Sequence, residues 1–279
     1  MASLDARFSP PRTVRLRVQR AAPLEVWQLV LKTKTTLSRA IRWRPERLLE
    51  GLELLHRGEG RTRDGREEHH ACAGYAHLVI GGGRSADVTD EVLAKGPTPF
   101  TRLTGAFIGD AGGHTLAAQH GFHAGETLVL DLGQTSIKVS YAGQQRRLER
   151  DLERLPRANR QTRRQREAQR VALRDFLAEA VCAVAAGRAD PAAVVVALPG
   201  EISDDAVPGR SSYVGTAGHA TLLPDVLVRA GVKPKMLGVL NDAELAAASA
   251  SLLPQAAGKT LVLTLGFGIG AALLAAPPP

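Results

Sequence analysis

The sequence predicts an α/β protein with mixed β-sheets. Three features of the chain carry that expectation. Short apolar runs of strand length alternate with helical stretches through the second half of the chain. Two strand–Gly-rich turn–strand segments stand more than a hundred residues apart, around Gly133 and around Gly266-Phe267-Gly268-Ile269-Gly270. Between them, Leu173, Phe176, Leu177, Ala180, Val181 and Val184 follow the three-and-four spacing of one buried helical face over 162–186.

Taken in order, 1–22 reads as an irregular lead-in with a short strand at Val14–Val18. Leu24–Leu55 reads as mainly helical with a break at Pro45, which lacks the amide hydrogen. Gly58–His70 is polar and rich in turn formers. Ala76–Ile80 is a strand that stops at Gly81-Gly82-Gly83, after which Ser85 or Asp87 caps a helix reaching about Lys95. A small-residue helix follows Phe107-Ile108 to about His120. Leu128–Leu130 and Ile137–Tyr141 are strands joined by the turn Gly133–Ser136. Ala193–Leu198 is continuously apolar, as suits a strand covered on both faces. Leu237–Leu240 is another strand, and Asn241-Asp242 opens an alanine-rich helix to Leu253. Thr260–Leu265 and Ala271–Ala275 close the pattern as strands.

The bulk composition narrows the function class. The chain has 279 residues, enough for one large domain or two smaller ones. It contains no run of about 20 apolar residues, so no membrane span is expected. The first twenty residues lack the apolar centre of a secretory signal, and there are only two cysteines, Cys72 and Cys182. A reducing, cytoplasmic setting is the expectation. The net charge is +8, and 144–170 supplies +6 of it, with ten arginines against four carboxylates. Such a segment either meets phosphates of nucleic acid or acidic lipid, or forms the solvated face of a helix. It holds no aromatic residue for base stacking, which weighs against single-strand binding.

Several residues have the chemistry of a phosphate or acceptor site. In Asp131-Leu132-Gly133-Gln134-Thr135-Ser136-Ile137-Lys138, a tight turn exposes consecutive amides and glycine admits a phosphate. Thr135 and Ser136 add hydroxyl donors, and Asp131 holds Mg²⁺ through water in this reading. The alternative is a hairpin whose glycine serves backbone geometry alone. Gly266, Gly268 and Gly270 clear one face of a second turn, although no helix follows to complete a dinucleotide fingerprint. Asp242, between strand and helix, is placed either to deprotonate a substrate hydroxyl or, with Asn241, to cap the helix. Pro199-Gly200-Glu201 is a turn or an acceptor-binding edge.

In this order, DLGQTSIK (131–138), ALPGE (197–201), LNDAELAAA (240–248) and LTLGFGIGAAL (263–273) resemble the ROK family of sugar kinases and related regulators, within the hexokinase–actin–chaperone ATPase superfamily. The resemblance spans 126–276. It implies an actin-like (ribonuclease H-like) ATPase fold, with two lobes of mixed sheet and helices around a nucleotide cleft. It also implies ATP and Mg²⁺ as cofactors. Gly133, Gln134, Thr135, Ser136 and Lys138 would form the first phosphate loop, and Gly266, Gly268 and Gly270 the second. Asp242 would be the catalytic base, Asn241 a ligand of a sugar hydroxyl, and Pro199, Gly200 and Glu201 the sugar-site border. His219, in Gly215-Thr216-Ala217-Gly218-His219, is read apart from the resemblance, either as facing the substrate or as a loop histidine with no role.

The family places an adenosine-binding glycine segment after the second phosphate loop, and here His77–Ser85, with Gly81, Gly82 and Gly83, resembles it. Phe107–Ala118 resembles the family's closing helix. Both precede the first phosphate loop, so the expectation is either a circular permutation or a Gly-Gly-Gly turn in an unrelated N-terminal domain. Residues 1–122 would be the usual C-terminal part, 123–240 the first phosphate-loop lobe, and 241–279 the start of the second lobe. The sequence departs from the family at Gln134, where a second glycine is usual. It also lacks the family's His–Cys zinc cluster and its Glu-x-Gly-His sugar motif. The expected function is ATP-dependent phosphoryl transfer to a hydroxyl of a small sugar-like substrate. The alternative is an inactive nucleotide- or sugar-sensing relative. Nucleic-acid binding through 144–170 and a homodimer remain open, and no membrane partner is expected.

Overall fold

The computed structural model describes residues 25–29, 45–58, 73–133, 135–155, 163–200, 202, 221–256, 258–266 and 269–275. The described residues divide into two compact units, one within Gly109–Leu245 and one within Val18–Ile108 and Ala246–Pro279. Each carries a five-stranded mixed sheet flanked by helices. The mixed α/β class is thus observed.

The first unit is built on β4 (Thr127–Leu132), β5 (Ser136–Tyr141), β6 (Gln144–Glu149), β7 (Ala193–Leu198) and β8 (Met236–Asn241), ordered β6-β5-β4-β7-β8. β4, β7 and β8 run parallel, while β5 and β6 are added as antiparallel hairpins. Strand alternation sorts their side chains onto two faces. Leu128, Leu130, Leu132, Ile137, Val139, Val194, Val196, Leu237 and Val239 form one core with α4 (Arg163–Ala185) and α5 (Leu222–Ala230). All six apolar positions read as the buried face of α4 lie in this core. Each larger side chain there contributes about 1.5–3 kcal/mol by leaving water. The opposite face of β4 receives α3 (Ile108–Ala118), whose Gly113 lies so close that an added Cβ would be 2.5 Å from Val129 Cγ2.

The second unit has β1 (Glu25–Leu29), β2 (His77–Gly81), β3 (Phe100–Arg102), β9 (Thr260–Leu265) and β10 (Ile269–Ala275), ordered β1-β10-β9-β2-β3. Its core joins Leu78, Ile80, Leu261, Leu263 and Leu265 to Leu48, Leu52 and Leu55 of α1 (Pro45–Arg57) and Leu93 of α2 (Asp90–Leu93). Arg102 braces the segment after the glycine triplet, donating to Asp90 at 2.5 Å, to Ser85 O at 2.6 Å and to Val88 O.

Four sequence expectations are corrected. Glu25–Leu29 is an edge strand on β10 and not part of a helix, because its pairing partner lies at the far end of the sequence. Pro45 begins α1 and does not interrupt one, as the first helical position needs no amide hydrogen. Thr89, not Ser85 or Asp87, caps α2, accepting from Val92 N, while Ser85–Asp87 forms a 3₁₀ turn. The arginine-rich segment is not one helical face, since Gln144–Glu149 is strand β6. Several of its arginines serve the fold. Arg150 is buried and donates to Leu155 O at 2.9 Å, Arg154 forks onto Glu179, and Arg170 pairs with Asp225 at 2.5 Å. The strand expected over 14–18 and the polar segment over 59–70 lie outside the described residues. Among the described residues no helix is long and apolar enough to cross a membrane.

Candidate functional site

Three adjacent parallel strands of the first unit end in the residues of interest. Asp131 is on β4, Pro199-Gly200 follows β7, and Asn241-Asp242 ends β8 and opens α6 (Asp242–Ala250). The register aligns Asp131 with Ala197, Ala197 with Leu240, and Leu198 with Asn241. Open α/β sheets bind ligands at such carboxyl ends, where backbone and helix termini leave polar groups to offer.

Asp131 and Lys138 face each other across the β4–β5 hairpin, with Lys138 Nζ donating to Asp131 Oδ2 at 2.8 Å. The Lys138 side chain is 22% exposed and that of Asp131 17%. Asp242 lies deep among protein atoms although part of its surface remains accessible, and depth governs its titration. Burial pushes the Asp242 carboxyl up to about 7, and the neighbouring Asp131 charge adds to the rise. The Ala243 amide, the Lys138 ammonium and its own backbone amide act in the opposite direction. A carboxyl with that midpoint exists in both protonation states near neutrality, which suits a general base.

The cap of α6 is a reciprocal pair. Ala243 N donates to Asn241 Oδ1 at 2.8 Å, and Asn241 N donates to Glu244 Oε2 at 2.7 Å. Asn241 Nδ2 reaches across to β7, donating to Gly200 O at 2.6 Å and lying 3.5 Å from Leu198 O. Sequence reasoning missed Glu244, although the Asn-x-x-Glu spacing is a legible capping signature. It also missed Gly109. An added Cβ there would sit 2.5 Å from Leu245 Cδ2 and 3.8 Å from Asp131 Oδ2, so the start of α3 passes close to the Asp131 carboxylate.

In the first glycine turn, an added Cβ on Gly133 would meet Ser136 O at 2.8 Å, so the hairpin itself requires glycine. Thr135 is exposed and Ser136 is buried at 3%. Gln134 lies outside the described residues, as do Glu201, His219 and Gly268. Gly266 and Gly270 belong to the second unit, at the β9–β10 turn, where Gly266 is exposed. Gly81, Gly82 and Gly83 lie in the same unit beside that turn. Gly81 pairs with Thr264, Arg84 N donates to Leu265 O at 2.9 Å, and Gly82 adopts φ +96.

Asp131 supplies the hard carboxylate oxygens that Mg²⁺ takes. Among the described residues no three His, Cys, Asp or Glu side chains converge as a metal cage. Mg²⁺ that arrives with nucleotide phosphates needs only one or two protein carboxylates, so the donor set fits that mode.

These features define a mixed α/β protein with a carboxylate pair at the C-terminal ends of parallel strands. No family model and no curated protein matches the chain. Similar solved structures include the inorganic polyphosphate/ATP-glucomannokinase from Arthrobacter sp. strain KM, 23% identical with a TM-score of 0.37. That similarity covers 53% of this chain and 57% of the other, so it spans little more than half of the kinase's length.

Proposed function

We propose that this chain is an ATP- and Mg²⁺-dependent kinase that transfers a phosphoryl group to a hydroxyl of a sugar-like small molecule. The observation that carries the reading is the placement of Asp242, with a midpoint of about 7, beside Asp131 at the ends of three parallel strands, directly after Asn241, which is bonded to Gly200. Asp242 in its carboxylate form takes the acceptor hydroxyl's proton as that oxygen bonds to the γ-phosphorus. The bond from phosphorus to the β–γ bridging oxygen breaks, and ADP leaves. Pro199 and Gly200 border the acceptor, with Glu201 and His219 as further acceptor ligands. Gly133, Gln134, Thr135, Ser136 and Lys138 would hold donor phosphates, and Asp131 would hold Mg²⁺. The ion, when bound, neutralises developing phosphate charge.

The same reading assigns Gly266, Gly268 and Gly270 to the second phosphate loop and Gly81, Gly82 and Gly83 to adenosine. The order is that of a circularly permuted ROK-like chain with an actin-like fold. The pairing of Gly81 with Thr264 supports this, because a permuted chain must keep these two segments adjacent in space.

The deciding experiment is a coupled ATP-consumption and thermal-shift screen with ATP–Mg²⁺ against sugars and aminosugars. Turnover on at least one acceptor is expected, abolished in Asp242→Ala with nucleotide affinity retained. Stabilisation by nucleotide without consumption across the panel would replace the kinase with a sensor. An Asp242→Ala variant with unchanged turnover would remove Asp242 from the mechanism.

A further inference from the structure

Asn241 is the residue that the family resemblance gives to a sugar hydroxyl, yet its side chain already has internal work. It is 6% exposed. Its carbonyl oxygen holds the Ala243 amide at the start of α6, and its amide nitrogen holds the Gly200 carbonyl at 2.6 Å. Gly200 has φ +110, so the turn leaving β7 adopts a conformation that side-chain-bearing residues rarely take. One planar amide therefore ties two separate parts of the site, the acceptor edge after β7 and the first turn of the helix that begins with Asp242.

We propose that Asn241 is a positioning residue that sets the spacing between the Gly200 turn and Asp242, and not a ligand of the acceptor. The physical case is the cost of the alternative. Turning the amide toward a substrate would release Gly200 O and the Ala243 amide, two backbone groups whose bonds fix the turn and the helix start. A fixed rotamer held at both ends is also what pre-organisation needs, since misplacement of about 1 Å costs about 100-fold in rate. The catalytic consequence rests on the kinase reading above. The tie itself does not.

The test uses the full chain with Asn241→Ser, because serine keeps the helix cap but is too short to reach Gly200. Asn241→Asp serves as the second variant should the first fail to fold, since it keeps the shape and the cap oxygen while losing the donor. Hydrogen–deuterium exchange of the 198–202 peptide is expected to quicken about 10-fold or more, with the protection of α6 retained. The ¹³C resonance of the Asp242 carboxyl should move at fixed pH as the turn loosens. With an acceptor in hand, kcat should fall about 10-fold or more while the acceptor KM changes little.

Unchanged exchange at 198–202 would overturn the tie. Faster exchange with an unmoved Asp242 resonance and unchanged kcat would overturn the positioning role. A large KM increase at constant kcat would make Asn241 an acceptor ligand after all. If the wild-type chain turns over no acceptor, the kinase reading fails, and exchange and the Asp242 resonance still decide whether Asn241 fixes the turn.

Discussion

Lys138 Nζ donates to Asp131 Oδ2 at 2.8 Å across the β4–β5 hairpin, and this pair shapes the field at Asp242. The two act on Asp242 with opposite sign, Asp131 raising its midpoint and Lys138 lowering it. Replacing Lys138 by Met leaves the Asp131 charge uncompensated. The Asp242 midpoint should then rise above the wild-type value of about 7, read by carbon-detected NMR titration of the carboxyl. A midpoint that falls or stays fixed would contradict this account of the field.

Stability should depend on pH through Asp242 in a sense opposite to most aspartates. Its folded midpoint, about 7, lies above the ordinary aspartate value of 3.8, so the folded state holds the proton more tightly. The stability gained is fully present below about pH 4 and is lost as pH rises through about 7. Asp242→Asn removes that dependence and should be the more stable form at about pH 8, by an amount on the order of 2–4 kcal/mol. Urea denaturation of both proteins from about pH 4 to about pH 8 checks the sign, and parallel curves would refute it.

The close seat of α3 on β4 gives a steric prediction. An added Cβ at Gly113 falls 2.5 Å from Val129 Cγ2, in a core where neighbours have little room to yield. Gly113→Ala should cost about 1–3 kcal/mol, and trimming Val129 to Ala in the same chain should recover part of it. Chemical denaturation of the two single variants and the double variant reads the coupling.

Neighbouring glycines of the triplet should differ sharply. Gly82 has φ +96, and an added Cβ would run into the Leu265 carbonyl oxygen and lie 2.8 Å from Leu265 N, backbone atoms inside a sheet. Gly82→Ala should therefore cost at least about 1–3 kcal/mol. An added Cβ at Gly83 meets nothing within 4 Å, and Gly83→Ala should be within about 0.5 kcal/mol of wild type. Similar losses at both positions would show that the triplet is not held by β9.

In the first unit's core, Leu177 of α4 is fully buried among strand side chains. Leu177→Ala should cost about 2–5 kcal/mol by equilibrium denaturation, from lost transfer energy and the cavity left behind.

Local signals in the chain are enough for the α/β class, the buried face of α4 and most of the strands, because periodicity and apolar runs need no knowledge of distant partners. Ala193–Leu198 and Thr260–Leu265 match the observed strand bounds, since an apolar run flanked by turn formers has few other places to go. The same signals mark Asp131 and Asp242 as carboxylates at strand ends. Long-range pairing, in contrast, makes Glu25–Leu29 a strand, because its partner Ala271–Ala275 lies at the other end of the sequence. Folding alone bonds Asn241 to Gly200, since that contact joins positions 41 apart in the chain. The midpoint of Asp242 is tertiary for the same reason. Burial and the charge of Asp131, brought near by folding, set it, and neither is a property of the residue's neighbours in sequence.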